Sequence, residues 1–327
     1  MNLAIVGATG LVGRTFLDVL EERNAKIDNL FLFSSAKSKG KIIRFKEKDY
    51  IVDELNENSF KSNKIDYALF SAGGDISKKF APIAAENGCI VIDNSSAWRM
   101  DEKVPLVVPE VNPEDVEWNE GIIANPNCST IQAVVALAPL HKEYKIKRIV
   151  YSTYQAVSGA GIEGIKDLER GMKGEKNEKF PHQICNNCIP HIDSFLENGY
   201  TKEEMKMVNE TRKILHDETM KITSTTVRVP VTNCHSESIN IEFYNQFEIK
   251  QVNQLLRDSK GISVVDDIQN NNYPLATAAE GKDEVYVGRI RRDESVESGL
   301  NLWVVADNIR KGAATNAVQI LELMLNK

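Results

Sequence analysis

Short apolar runs alternate with amphipathic stretches over the first third of the chain. Leu3-Ala4-Ile5-Val6 is uniformly apolar and predicts a buried strand. Leu11, Val12, Thr15, Phe16, Val19 and Leu20 follow at the spacing of one helix face. Asn29-Leu30-Phe31-Leu32-Phe33, Ile65-Asp66-Tyr67-Ala68-Leu69-Phe70 and Cys89-Ile90-Val91-Ile92-Asp93 predict further strands. Apolar strands separated by helices indicate an α/β fold, a Rossmann-type doubly wound parallel sheet with ligands at its carboxyl ends.

The pattern changes after an apolar run at 131–140 that reads as a helix. A long β-type run covers 147–157, and 225–231, 238–243, 286–290 and 300–306 add strands. Several alternate polar and apolar, as half-exposed antiparallel strands do. They predict a second α+β domain with a mixed or antiparallel sheet. The charged, Gly-containing stretch 166–179 reads as a mobile surface loop, and the helical stretch 309–325 as a tail packing back on the first domain.

Length and composition fit this division. The 327 residues are 42% hydrophobic and 27% charged, enough for two domains with a core each. The net charge of -7 argues against nucleic-acid binding, so anionic ligands need local cations. No apolar run spans a bilayer, the N-terminus lacks the charged and apolar regions of a signal peptide, and the five cysteines follow no disulfide framework. A cytoplasmic protein without membrane contact is expected.

Candidate chemistry clusters at a few places. Gly7-Ala8-Thr9-Gly10-Leu11-Val12-Gly13 joins the first strand to its helix, the context of a phosphate cradle. The second strand leads into Ser34-Ser35-Ala36-Lys37-Ser38, with hydroxyls and a cation where an NAD site carries a carboxylate. That composition suits the 2′-phosphate of NADP. Ser71-Ala72-Gly73-Gly74 would let a cofactor approach the backbone. Asn125-Pro126-Asn127-Cys128-Ser129-Thr130 places Cys128 at a helix start, where the dipole and unpaired N–H groups favour a nucleophilic thiolate. His235 supplies an imidazole able to exchange protons near neutrality. Thiolate plus nicotinamide indicates aldehyde chemistry through an enzyme-bound thioester. Arg99 and Lys213 suit phosphate or carboxylate, though taken singly each reads as a surface charge. His182-x-x-Cys185-x-x-Cys188-x-x-His191 has zinc-type ligands, but a spacing of three lines one side of a helix, so no metal is expected.

These motifs resemble the bacterial aspartate-semialdehyde dehydrogenase family from end to end. The matching segments include Gly7–Gly13, Phe70-Ser71-Ala72-Gly73-Gly74, Asp93-Asn94-Ser95-Ser96-Ala97-Trp98-Arg99-Met100 and Asn125–Thr130. Gln155-Ala156-Val157-Ser158-Gly159-Ala160-Gly161, Arg228-Val229-Pro230-Val231 and Gly288-Arg289-Ile290-Arg291 extend the match. The resemblance implies NADPH-dependent reductive dephosphorylation of L-aspartyl-4-phosphate to L-aspartate-4-semialdehyde, a step toward lysine, threonine and methionine. It implies Cys128 as acyl-thioester nucleophile, His235 as acid/base and Gln155 as orienting the intermediate. Arg228 would grip the substrate α-carboxylate, Glu210 its α-amino group, and Arg99, Asn127 and Lys213 the phosphate. NADP would contact Gly7, Thr9, Gly10, Leu11, Val12, Ser35, Lys37, Ser38, Ser71, Gly73, Ser158, Gly159 and Asn308. The implied domains are 1–126, binding NADP with helix 308–327 packed back on it, and 127–307, catalytic and dimerising, in a homodimer or dimer of dimers. Lys37-Ser38 departs from the Arg-Ser common in relatives: the charge remains and the bidentate fork is lost. N-acetyl-glutamyl-phosphate reductase shares the design, and a non-catalytic NADP-sensing protein is an alternative of another class.

Overall fold

The computed structural model describes residues 1–326. The chain divides into two units, residues 1–127 with the C-terminal segment from Ala313, and residues 128–312.

The first unit contains β1 (Asn2–Val6), α1 (Leu11–Glu22), β2 (Asn29–Ser34), β3 (Ile42–Phe45), β4 (Lys48–Glu54), β5 (Tyr67–Phe70), α2 (Gly74–Glu86), β6 (Ile90–Asp93) and β7 (Ile122–Ala124). One seven-stranded sheet runs β3-β4-β2-β1-β5-β6-β7. All neighbours are parallel except β3 with β4. The central strands are apolar because both faces are covered: Leu3, Ala4, Ile5 and Val6 are fully buried. The chain winds outward from β1 to β2, then returns across β1 to β5. That reversal opens a crevice at the carboxyl ends of β1 and β5. The sequence pattern did not reveal the β3–β4 hairpin. It is an edge element whose exposed Lys48, Asp49, Asp53 and Glu54 break the apolar signal.

The second unit contains α3 (Cys128–Tyr144), β8 (Ile146–Gln155), α4 (Ile162–Met172), α5 (Lys202–Leu215), β9 (Lys221–Arg228), β10 (His235–Phe243), α6 (Ile249–Asp258), β11 (Ile262–Val264), α7 (Ala276–Ala279), β12 (Val285–Asp293) and β13 (Gly299–Ala306). Its six-stranded sheet runs β11-β12-β13-β10-β8-β9 and is mixed, with β11–β12 and β8–β9 parallel and the rest antiparallel. Residues alternate between the buried and the half-exposed face along β10. The helix α3 packs on the strands and against α5 and α6. It is buried continuously from Ser129 to Leu137, which its all-round small and apolar sequence permits.

The expected surface loop at 166–179 is largely ordered. Residues up to Met172 belong to α4. Asp167, fully buried, then accepts the backbone N–H groups of Glu178 at 2.8 Å, Lys179 at 2.6 Å and Phe180 at 2.8 Å. One aspartate thus ties down the segment whose charge and glycines suggested mobility. The four zinc-type residues at 182–191 do not form a helix side either, since that stretch is turns and a short bridge. Ile189 pairs with the backbone of Arg228 instead.

A π-helical turn, Arg310–Thr315, precedes α8 (Asn316–Leu325). Ala314, Ala317, Val318, Ile320 and Leu321 join Leu3, Phe16 and Leu20 in the core of the first unit.

Candidate active site

In the first unit the Gly-rich turn lies where the strand order reverses. A Cβ on Gly7 would sit 2.3 Å from the Ser71 carbonyl, and one on Gly13 would sit 2.2 Å from the Gly7 carbonyl. The glycine spacing therefore serves two close approaches, turn against β5 and helix against turn. No side chain caps α1 at Gly10 or α2 at Gly73, so both helix starts present backbone N–H groups to this end of the sheet. A cleft of about 350 Å³ is lined by Gly7, Thr9, Gly10, Ser34, Ser35, Ser71 and Ala72. Thr9 Oγ1 lies 2.9 Å from Ser34 Oγ and 3.3 Å from buried Ser38 Oγ, which knits the hydroxyls into one wall. Leu11 and Val12 form the first turn of α1, and Lys37 stands exposed in a short 3₁₀ turn beside the wall. This cradle fits a dinucleotide. Glu54, which the sequence reading missed, also lines the cleft, because β4 pairs with β2 so that Glu54 lies opposite Ser34.

Arg99 is buried in the same unit, contrary to its reading as a lone surface charge. Its Nε donates to the Asn125 carbonyl and its Nη2 to the Asn94 carbonyl, each at 2.9 Å. Asn127 is buried at the end of this unit's continuous segment.

In the second unit, strand register assembles residues far apart in sequence. Ser236 faces Tyr154 and Gln155 faces Arg228, so the next position sets His235 beside Gln155. His235, Gln155 and Arg228 thus form one row at the end of the sheet, on its buried face. Cys128 opens α3, and its Sγ lies 3.2 Å from His235 Nε2. The Ala156 N–H donates to His235 Nδ1 at 3.0 Å. A backbone N–H can only donate, so the neutral ring carries its proton on Nε2, facing sulfur. His235 is fully buried, and its pKa falls to about 3, through burial first and then the Arg228 charge, with Glu203 opposing.

Arg228 Nη1 donates to the Ala156 carbonyl at 2.6 Å, and its guanidinium lies 5.9 Å from the centre of the Phe180 ring. Burial lowers its pKa, while the charges of Glu203 and Cys128 act in the other direction. Two glycines give this row room. A Cβ on Gly159 would stand 2.8 Å from Arg228 Nη1, and one on Gly312 would stand 2.9 Å from the Cβ of Cys128. Gly312 lies in the π turn, a distortion that often marks functional sites, and nothing in its sequence context pointed to it. Asn308 Nδ2 donates to Ser158 Oγ at 3.0 Å, and its Oδ1 accepts the Cys234 N–H at 2.9 Å.

Gln155 is bracketed. Thr153 Oγ1 donates to its Oε1 at 3.0 Å, and its Nε2 donates to Glu203 Oε1 at 3.1 Å. Glu203 was not singled out in the sequence, being one acid among many on a polar helix. Glu210 is buried on the same helix, and Lys213 is half-buried one turn further on.

A Rossmann-type sheet in one unit and a cysteine–histidine pair on a mixed sheet in the other define a class, the two-domain dehydrogenases that use a thiol. Comparison with known proteins narrows it. Residues 2–119 match the semialdehyde dehydrogenase NAD binding domain, and residues 137–311 its dimerisation domain. Aspartate-semialdehyde dehydrogenase of Aquifex aeolicus is 59% identical, over 100% of this chain and 98% of that one. The crystal structure of aspartate semialdehyde dehydrogenase II from Vibrio cholerae complexed with ASA superposes with a TM-score of 0.95 at 50% identity, covering 100% of this chain and 98% of that one. The Candida albicans aspartate semialdehyde dehydrogenase with NADP has a TM-score of 0.77 at 26% identity, covering 99% and 98%. The chain belongs to the aspartate-semialdehyde dehydrogenase family.

Proposed function

We propose that this chain performs the NADPH-dependent reductive dephosphorylation of L-aspartyl-4-phosphate to L-aspartate-4-semialdehyde, with Cys128 carrying the acyl group. The observation that carries the reading is the 3.2 Å contact of Cys128 Sγ with His235 Nε2, in a row with Gln155 and Arg228. Cys128 sulfur attacks the acyl carbon, the C–O bond to phosphate breaks, and a thioester remains. NADPH, when bound, supplies the hydride. The Nε2–H of His235 faces the sulfur, so it donates a hydrogen bond there and to the oxygen that gains charge, and keeps its proton as the C=O forms again. The N–H groups at the start of α3 add to the stabilisation of that oxygen. As the aldehyde departs, the C–S bond breaks and the thiolate is restored. Arg228 binds the α-carboxylate, Glu210 the α-ammonium, and Arg99, Asn127 and Lys213 the phosphate.

NADP is the cofactor of this reading, supported by the hydroxyl wall of Thr9, Ser34 and Ser38 with Lys37 beside it. A homodimer follows from the dimerisation domain, and we extend this to a dimer or dimer of dimers in the cytoplasm. Among the described residues no helix is long and apolar enough to cross a membrane.

The test is the phosphorolytic assay, with semialdehyde, NADP and phosphate supplied and NADPH absorbance read. Wild type should turn over, and Cys128→Ala should lose activity by about three or more orders of magnitude with NADP affinity nearly intact. A Cys128→Ala enzyme within about tenfold of wild type overturns the assignment.

A further inference from the structure

The Gln155 amide has two chemically different ends, and its usefulness at a reaction centre depends on which end faces which way. Thr153 alone does not decide this, since a hydroxyl donates or accepts. Glu203 does decide it. Its carboxylate is an acceptor only, so the 3.1 Å contact requires the NH₂ end of Gln155 to face it. Thr153 Oγ1, fully buried, then donates to the carbonyl end at 3.0 Å.

Glu203 is itself held. It lies in the first turn of α5, whose start is fixed by a capping box between Thr201 and Glu204. Lys206, one turn on, donates to Glu203 Oε2 at 3.0 Å and to Asp193 Oδ2 at 2.9 Å. The chain Thr153–Gln155–Glu203–Lys206–Asp193 therefore runs from the sheet through the helix without a break.

We propose that Glu203, with Thr153 behind it, is the positioning residue that locks the Gln155 amide in one orientation. One N–H of Gln155 is thereby committed to Glu203, and the other is left to donate to the substrate-derived oxygen. This rests on the reading of Gln155 as part of the reaction centre.

The experiment is a double-mutant cycle on the full chain. Glu203→Gln replaces an acceptor by a group that donates or accepts, so the Gln155 amide loses its imposed direction. Turnover should fall roughly 10- to 100-fold, by more than the substrate KM rises, with the KM for NADP unchanged. In a Gln155→Met background there is no amide to orient, and Glu203→Gln should cost less than about twofold further. An equal cost in both backgrounds overturns the proposal. Thr153→Val keeps shape, removes the other bracket, and should show the same non-additivity with Gln155→Met, which serves if Glu203→Gln does not fold. A readout independent of turnover is the side-chain amide resonance of Gln155 in protein labelled with ¹⁵N-glutamine, assigned by its loss in Gln155→Met. Glu203→Gln should shift it. An unmoved Gln155 resonance overturns the proposal, whereas absent wild-type turnover with a shifted resonance overturns only the assigned reaction.

Discussion

Glu237 lies two residues along β10 from His235, on the same buried face. It is fully buried, and neither of its carboxyl oxygens has a hydrogen-bond partner among the described residues. Burial pushes its carboxyl well above the ordinary carboxylate range, which favours the protonated form in the folded protein. The unfolded chain releases that proton above about 4.3, so this residue removes stability as pH rises from there toward the folded pKa. His235 acts at the other end. Its folded pKa of about 3 lies below the ordinary 6.5, so the unfolded chain binds a proton that the folded one refuses, and stability is lost as pH falls from 6.5 toward 3. Glu237→Gln removes the first effect alone. Its unfolding free energy relative to wild type, followed through melting curves from pH 5 upward, should climb along a slope of at most ~1.4 kcal/mol per pH unit. Melting curves that stay parallel over that range would show Glu237 to be ionised in the folded state.

At the scale of elements, what the sequence revealed depended on how loudly burial speaks. The strands β1, β2, β5 and β6 are mostly buried and mostly apolar, so their positions were readable to within a few residues. The hairpin β3–β4 exposes Ile42 and Ile51 and carries charges between them, so its pattern gave no strand signal. The helix α5, KEEMKMVNETRKIL, is largely polar, and its capping box Thr201-x-x-Glu204 was the missed signal. The position of Cys128 at a helix start was readable because one local turn-to-helix context marks it. His235 stood out as an imidazole, but its companions Gln155 and Arg228 could be supplied only by family resemblance, because register between strands some 80 residues apart leaves no local trace. Glu54 is a case of the same kind, since the carboxylate missing from the end of β2 returns from the neighbouring β4. In the proposed NADP reading, Lys37 and Glu54 act oppositely on a 2′-phosphate. Glu54→Gln should raise the ratio of kcat/KM with NADP to that with NAD by roughly three- to tenfold at low salt. Lys37→Glu should lower it by about tenfold or more. Ratios that neither change moves would show that these two ends do not read the ribose.

At the scale of the molecule, the first unit is built from two stretches of chain. Asn316 Nδ2 donates to Asn125 Oδ1 at 2.7 Å and to the Val107 carbonyl at 3.0 Å, and Arg23 grips Glu322 through Nε at 2.8 Å and Nη2 at 2.6 Å. With five side chains of the 314–321 stretch in its core, the unit is incomplete without α8. A fragment of residues 1–127 should therefore show a broad, weakly cooperative melt and rapid proteolysis, and joining the segment from Ala313 onto it through a flexible linker should restore a sharp transition. A cooperative melt of the fragment alone would show that α8 is dispensable.

The same discontinuity imposes an order on biosynthesis. A ribosome adds roughly 5–20 residues per second, and about 190 residues separate Asn127 from Leu321, so the nascent first unit waits on the order of 10–40 s for its last helix. During that interval the apolar surface that α8 covers on α1, around Phe16 and Leu20, stays open to chaperones, proteases and neighbouring nascent chains. The second unit, continuous from Cys128 to Gly312, leaves the ribosome whole before the first can close.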